Sequence, residues 1–349
     1  MSRQRWRRLA TAGLVAAGLL AVAAIAAQVP AQAAPVSVAP SSLDPSSMSG
    51  GARPQVPYLL HDTIHDGHLT VRAPRGQHSQ LWRVEGGYLV LGGGGRLVWI
   101  DRSGERQVLG SSVYTVAVSP SRTRVAWGSA RGEDLGPPAR LTVADVPTGQ
   151  LVARRTFSRM LWAGAMTRHR VLLETSWAAP PPETMWWRPG RPGVLPLARQ
   201  AAVGADVRAD RVVFSVGAPD AFCNRVAPLD HPARTLWRSC HFIPRTWSPD
   251  GRRALTTHTY FDDAGTDYWS IIGARSGAAL SRVTGRLDWN PAWEGRQHFL
   301  VSAMGDDGMA AVVRCDLHAR CERATRLWDT GWTRWPPFYM NPPVLLARN

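Results

Sequence analysis

A short apolar run recurs along this chain at intervals near forty residues, and that recurrence constrains the fold more than any other feature. The copies are Tyr88-Leu89-Val90-Leu91, Val125-Ala126-Trp127, Val171-Leu172-Leu173, Val212-Val213-Phe214, Ala254-Leu255-Thr256, Phe299-Leu300-Val301 and Val344-Leu345-Leu346. Each follows a turn-like stretch and a basic or polar residue, and successive starts differ by 37, 46, 41, 42, 45 and 45 residues. A period in this range, built from short β-rich runs, predicts an all-β chain with one four-stranded propeller blade per repeat. Residues 58–349 outgrow the usual single-core limit, which stacked blades avoid because each packs only on its neighbours.

The fifth repeat is the most complete. Arg245-Thr246-Trp247 leads through Ser248-Pro249-Asp250-Gly251 into Arg252-Arg253-Ala254-Leu255-Thr256-Thr257, then a third strand over 268–272 and a fourth over 279–283. Pro and Gly at these spacings make a tight turn between an inner strand and the next one out. The second repeat has the same layout, with Val116–Pro120, Val125–Trp127, Leu141–Asp145 and Leu151–Arg154. Trp247-Ser248-Pro249-Asp250-Gly251-Arg252-Arg253-Ala254 resembles the W-S-P-D-G-[KR]-x-[IVL] motif of TolB-like propellers, the WD40-like (PD40) repeat family, and Val118–Val125 is a weaker copy. The whole chain is similar to secreted actinobacterial proteins of this class. The resemblance implies a propeller and export and assigns no chemistry. The glycine-histidine and tryptophan-aspartate pair of true WD40 repeats does not recur, and Trp328-Asp329 is an isolated dipeptide.

Seven anchors against six complete internal blades raise the question of closure. The chain after Trp332 supplies two strands, near Arg334–Tyr339 and Val344–Asn349, while Tyr58–Ile64 and His68–Arg72 form a hairpin about Asp66-Gly67. Two strands from each end predict a seventh, composite blade with the C-terminal strands innermost, which removes the open sheet edges. The alternative is six blades.

Residues 1–33 read as a signal peptide. Arg3, Arg5, Arg7 and Arg8 precede an Ala/Leu-rich run from Leu9 to Ala27, and Ala31-Gln32-Ala33 supplies small residues for cleavage after Ala33. The run is also long enough for an uncleaved membrane anchor. Residues 34–57, rich in Pro, Ser, Gly and Ala, read as a flexible leader between signal and propeller. All 41 basic residues are arginine, and removing the four in the signal takes the net charge from +15 to +11. The arginines are scattered rather than run together, which points to anionic cell-wall polymers or headgroups rather than nucleic acid.

The four cysteines form two local pairs. A turn at His231-Pro232 would face Cys223 with Cys240 across paired strands, and Cys315 and Cys321 flank the Asp316–Arg320 turn. An oxidising compartment makes disulfides 223–240 and 315–321 the expected pairing among the three connectivities four cysteines allow. In the loop-entropy picture the longer loop contributes about 3 kcal/mol.

Candidate sites are few. His61, His65 and His68, with Asp62 and Asp66, are the densest set of metal-ligand types and would suit zinc, although polar residues crowd hairpin tips for turn chemistry alone. Asp262, Asp263 and Asp267 around Gly265, and the Gly305–Gly308 turn, offer oxygens for calcium without the EF-hand spacing. Of sixteen tryptophans, Trp82, Trp162, Trp247 and Trp289 recur at inner-strand positions and read as packing wedges. Trp186-Trp187, Trp332 and Trp335 fall outside that pattern and are candidates for an exposed aromatic cluster. G-x-S-x-G, H-E-x-x-H and G-x-x-x-x-G-K are all missing, and Gly92–Gly95 joins two strands. The expectation is an exported, non-catalytic, monomeric propeller that needs no cofactor and binds a protein or a cell-wall polymer at the envelope. The competing expectation is a glycan-directed hydrolase or lyase that assembles Asp and His around the central channel, which no linear motif would reveal.

Overall fold

The computed structural model describes residues 39–130, 138–175, 181–217, 223–259, 266–331 and 344–348. The signal-peptide expectation, Asp262, Asp263, Trp332, Trp335 and the strand expected over 334–339 lie outside the described residues.

Among the described residues the strands form sheets of ten, eight and three times four, and dividing the two larger sheets where successive repeats meet gives seven four-stranded antiparallel groups. Blade 1 is His78–Val84, Gly87–Gly92, Arg96–Asp101 and Arg106–Gly110; blade 2 is Val113–Val118, Arg124–Ser129, Ala139–Asp145 and Leu151–Phe157. Blade 3 is Trp162–Met166, Val171–Glu174, Thr184–Trp187 and Val194–Ala198; blade 4 is Ala202–Asp206, Arg211–Val216, Cys223–Ala227 and Trp237–Ser239. Blade 5 is Phe242–Trp247, Arg253–His258, Thr266–Gly273 and Ala279–Leu287; blade 6 is Ala292–Glu294, His298–Met304, Met309–Asp316 and Cys321–Arg323. Six of the seven sequence anchors are the second strands of these blades. Their residues are buried on both sides because neighbouring blades cover both faces of the sheet. The fourth strands of blades 1, 2 and 3 are half-exposed edges, guarded by Arg106, Arg154, Arg155 and Pro196, which discourage pairing with another chain.

Blade 7 is composite, and its composition differs from the sequence expectation. Val344–Arg348 is its innermost strand, followed outward by Tyr58–Leu60, Thr63–Asp66 and Leu69–Arg72. The N-terminus therefore gives three strands, because Tyr58–Ile64 breaks at His61-Asp62, where His61 takes a left-handed φ of 53°. Leu59 pairs with Leu345, and on its other edge the C-terminal strand runs parallel to blade 1, Ala347 beside Leu81. The seventh sequence anchor thus occupies an innermost position, one strand further in than the other six.

The W-S-P-D-G-R turn shows why each residue of the motif is there. The Ser248 hydroxyl donates to Asp250 Oδ1 at 2.6 Å and accepts the Arg253 N–H at 3.0 Å, while Gly251 sits at φ +67°. In the weaker copy Ser119 caps Arg124 in the same way, but Arg122 occupies the glycine position at φ 63°. A left-handed conformation costs a non-glycine residue roughly 1–2 kcal/mol.

Both expected disulfides are present: Cys223–Cys240 and Cys315–Cys321 bridge strands whose Cα atoms stand 4.0 and 4.1 Å apart. They fit an oxidising, extracytoplasmic setting. No helix among the described residues is long and apolar enough to cross a membrane.

The leader is not free from Ser41 onward, contrary to the reading of 34–57 as flexible. Ser41–Ser42 pairs in parallel with the last strand of blade 5, Leu43 is buried, and the short Pro45–Ser47 turn is capped by Asp44. Ser49 and Gly51 then bracket Arg323 of blade 6 with backbone hydrogen bonds. Arg314 fastens the strap: its guanidinium pairs with Glu294, donates to the Ala52 and Arg53 carbonyls at 2.8 and 2.9 Å, and reaches Glu322 at 2.8 Å. Composition concealed this, because a strap held by backbone bonds and an arginine from elsewhere needs few apolar residues of its own. Removing one partner of a buried ion pair strands the other. Arg314→Ala is therefore expected to cost about 3–5 kcal/mol in urea unfolding, and Arg314→Lys clearly less.

Candidate binding channel

All seven innermost strands, or the residues next to them, border one central cavity of about 600 Å³. Its chemistry comes mainly from five arginines. Arg83, Arg122 and Arg208 stand where the inner strands of blades 1, 2 and 4 finish, and Arg245 and Arg348 come from the inner strands of blades 5 and 7. The acids on the wall are Glu174 and Asp206, and the histidine is His78.

The guanidiniums are close enough to feel one another. Enclosure by protein, then Arg208 and Arg83, hold the Arg122 guanidinium below its usual pKa, with Asp66 opposing. Arg83 lies 3.4 Å from Asp66, and Arg208 donates to the Pro120 carbonyl at 2.9 Å. Arg348 is open to the channel but walled in by protein, and that enclosure together with Arg245 lowers its pKa to about 10. Its Nη2 donates to Asn290 Oδ1 at 2.7 Å. Behind it Asp288 is buried with one oxygen unpartnered and the other accepting the Trp289 N–H, and burial pushes its carboxyl to about 7.

Glu174 ends the second strand of blade 3 and turns into the channel. Its carboxyl lies so near Gly164 that an added Cβ there would stand 3.1 Å from it, and the inner strand slips register at this point. Oε2 is buried without a partner, and desolvation raises the carboxyl to about 8. At neutral pH the side chain is a protonated donor rather than a charge. Five arginines against Glu174 and Asp206 leave the channel with a positive excess.

The sequence candidates are dispersed. His61 lies in the turn between two strands, His68 is exposed beyond Asp66, and His65 stacks on Tyr58 with ring centroids 4.8 Å apart. Asp62 is taken by His78 at 3.3 Å, and Asp66 by Arg83 and by the Tyr88 hydroxyl at 2.8 Å. The expected alignment of His61 with His65 fails because His61 occupies a turn. Among the described residues no three His, Cys, Asp or Glu side chains are disposed to hold a metal ion. Asp267 is exposed and pairs with His258 at 3.1 Å, and Asp307 accepts from Ser46 at 2.5 Å and so fastens the strap. Trp186 and Trp187 are buried within blade 3, which corrects the exposed-cluster expectation for them. Of the proposed wedges Trp82 and Trp247 are buried, and Trp162 and Trp289 are half-buried on the channel wall.

Glu174 yields a pH prediction. Its carboxyl titrates near 8 in the fold against an ordinary 4.5, so between those values the unfolded chain loses a proton that the folded one keeps. Stability therefore falls as pH rises through this window and levels off above about 8, by an amount on the order of a few kcal/mol at about 1.4 kcal/mol per pKa unit. Glu174→Gln is expected to flatten the fall and to be more stable than the parent at pH 8, as read by urea midpoints across pH 5–9.

No family model matches the chain, and no curated protein matches it. Among solved structures, a chain of a mitotic checkpoint complex superposes with a TM-score of 0.53 at 14% identity, covering 84% of this chain and 88% of that one. TolB from Acinetobacter baumannii gives 0.46 at 13% identity over 70% of this chain and 62% of that one. The β-propeller domain of the Trilobed protease from Pyrococcus furiosus gives 0.47 at 10% identity over 72% and 85%. At 14% identity the 0.53 match concerns architecture alone, and the blades arranged around one channel give the chain a β-propeller fold.

Proposed function

We propose that the protein is an exported, non-catalytic, TolB-like propeller of the cell envelope whose channel takes an anionic group from a partner. The PD40 part of this reading rests on Trp247–Ala254, and the export part on residues 1–33 and the two disulfides. The binding part is carried by one observation: five arginines line the channel against two acids, Asp206 and the buried, protonated Glu174. Guanidiniums present planar forks that match carboxylate and phosphate oxygens, and a narrow channel of one sign concentrates such ligands. Arg122 adds weight, because it takes a left-handed backbone where the sister turn uses glycine and so places a guanidinium at the mouth. The anion is expected to be an acidic segment of an envelope protein, and the propeller to act as a monomer.

The second reading, a glycan-directed hydrolase or lyase, has Glu174 in its favour, since a carboxyl protonated at neutral pH is the form a general acid needs. It would require Glu174→Gln to abolish glycan cleavage that the parent performs on isolated cell wall.

Affinity capture from native envelope at low and high salt, with the parent and Arg245→Gln/Arg348→Gln compared, tests the binding reading. A partner held by the parent at low salt should be lost at least tenfold in the variant and at high salt. Retention of the same partners by the variant contradicts it.

A further inference from the structure

A second basic cavity, of about 440 Å³, lies away from the channel axis between blades 4 and 5. Three turns form it: the one after Ala202–Asp206, the W-S-P-D-G-R turn after Phe242–Trp247, and the one after Thr266–Gly273. The first two abut, since a Cβ on Gly251 would meet the Ala209 Cα at 3.3 Å. Arg208, Arg211, Arg252, Arg253 and Arg275 border the cleft, and Asp250 is the one acid on its wall.

None of these five arginines forms an ion pair with a carboxylate among the described residues. Asp250 is committed to its own turn, its Oδ1 accepting from Ser248 and from the Arg252 N–H. Asp210 and Asp230 pull on Arg211 from behind, but Asp210 Oδ1 already accepts two backbone N–H groups. The Nε atoms of Arg211 and Arg253 are buried without a partner. Arg208, Arg252 and Arg275 are exposed, and Arg275 lies near enough to Arg211 to depress its pKa alongside enclosure. Five cations around one engaged carboxylate repel one another, and a multivalent anion among them offsets that repulsion. Guanidinium forks fit the tetrahedral oxygens of phosphate best.

We propose that the cleft between blades 4 and 5 is a phosphate-binding site, distinct from the channel, for a ligand carrying two or more phosphate charges. Arg252 and Arg275 supply the accessible forks, Arg211 and Arg253 line the base, and Arg208 connects the cleft to the channel mouth. The same chemistry is offered by a free polyphosphate and by a phosphodiester chain of the cell wall. This proposal does not depend on the channel's ligand.

Calorimetric titration of the full chain with pyrophosphate, at ionic strength held constant with sodium chloride, tests it. The channel variant Arg245→Gln/Arg348→Gln should bind about one equivalent, and the parent should keep that same site whether or not its channel also takes pyrophosphate. Adding Arg252→Gln/Arg275→Gln to the channel variant, which changes exposed side chains outside the core, should weaken binding at least tenfold with the unfolding midpoint unchanged. A second arm replaces pyrophosphate with poly(glycerol phosphate) at equal phosphate concentration. Tighter binding of the polymer assigns the source to a wall chain, and tighter binding of pyrophosphate to a free phosphate. No binding by the parent, equal binding by the two variants, or a loss already complete in the channel variant overturns the proposal.

Discussion

Everything else in the molecule depends on the pairing of Tyr58–Leu60 with Val344–Arg348. The two segments lie at opposite ends of the described chain, yet Leu59 and Leu345 share a ladder and both are buried. Loop-closure entropy rises only slowly with length, so bringing such distant segments together costs little more than closing a far shorter loop. In return, no blade presents an inner strand without neighbours, and the channel has a complete wall. Without the closing strands, blade 1 would lose the parallel partner at Leu81 and Trp82, and the apolar cluster around Ile64, Leu81, Val90 and Leu345 would open to water.

The strap at 41–56 reinforces the ring where blades 5 and 6 meet, and the same chemistry recurs there on a smaller scale. Arg314 is satisfied by Glu294, Glu322 and two carbonyls, while Arg208 and Arg348 bond to a carbonyl and to an amide oxygen. A chain whose basic residues are all arginine can use the same side chain as a structural clamp and as a ligand fork. What separates the two uses is whether carboxylates have been placed around it. The buried acid Glu174 fits this division: desolvation keeps it largely protonated at neutral pH, so it adds little negative charge to the channel.

Blades were legible from the sequence because a second strand covered on both faces must be apolar throughout, which leaves a repeat such as Val171-Leu172-Leu173. Disulfides were legible because each pair flanks its own turn. The composition of blade 7 was not: a left-handed histidine at His61 ends a strand without Gly, Pro or Asn to announce it. Nor were the basic sites. Arg83, Arg122, Arg208, Arg245 and Arg348 are spread over much of the chain and meet only once the ring is closed and its register set. One clue was present, since Arg122 stands where the sister motif has Gly251, but its meaning required the backbone angle. The histidine hairpin attracted notice through composition alone, and its acids turn out to serve His78, Arg83 and Tyr88.

Native-state amide hydrogen exchange at the closing strands tests the closed ring most directly. The amides of Leu59, Leu345 and Leu346 are expected to exchange only through global unfolding, as slowly as those of Leu89 and Leu172 in blades 1 and 3. Exchange of the closing amides orders of magnitude faster than those reference positions, with the rest of the sheet still protected, would contradict a ring held shut by both ends of the chain.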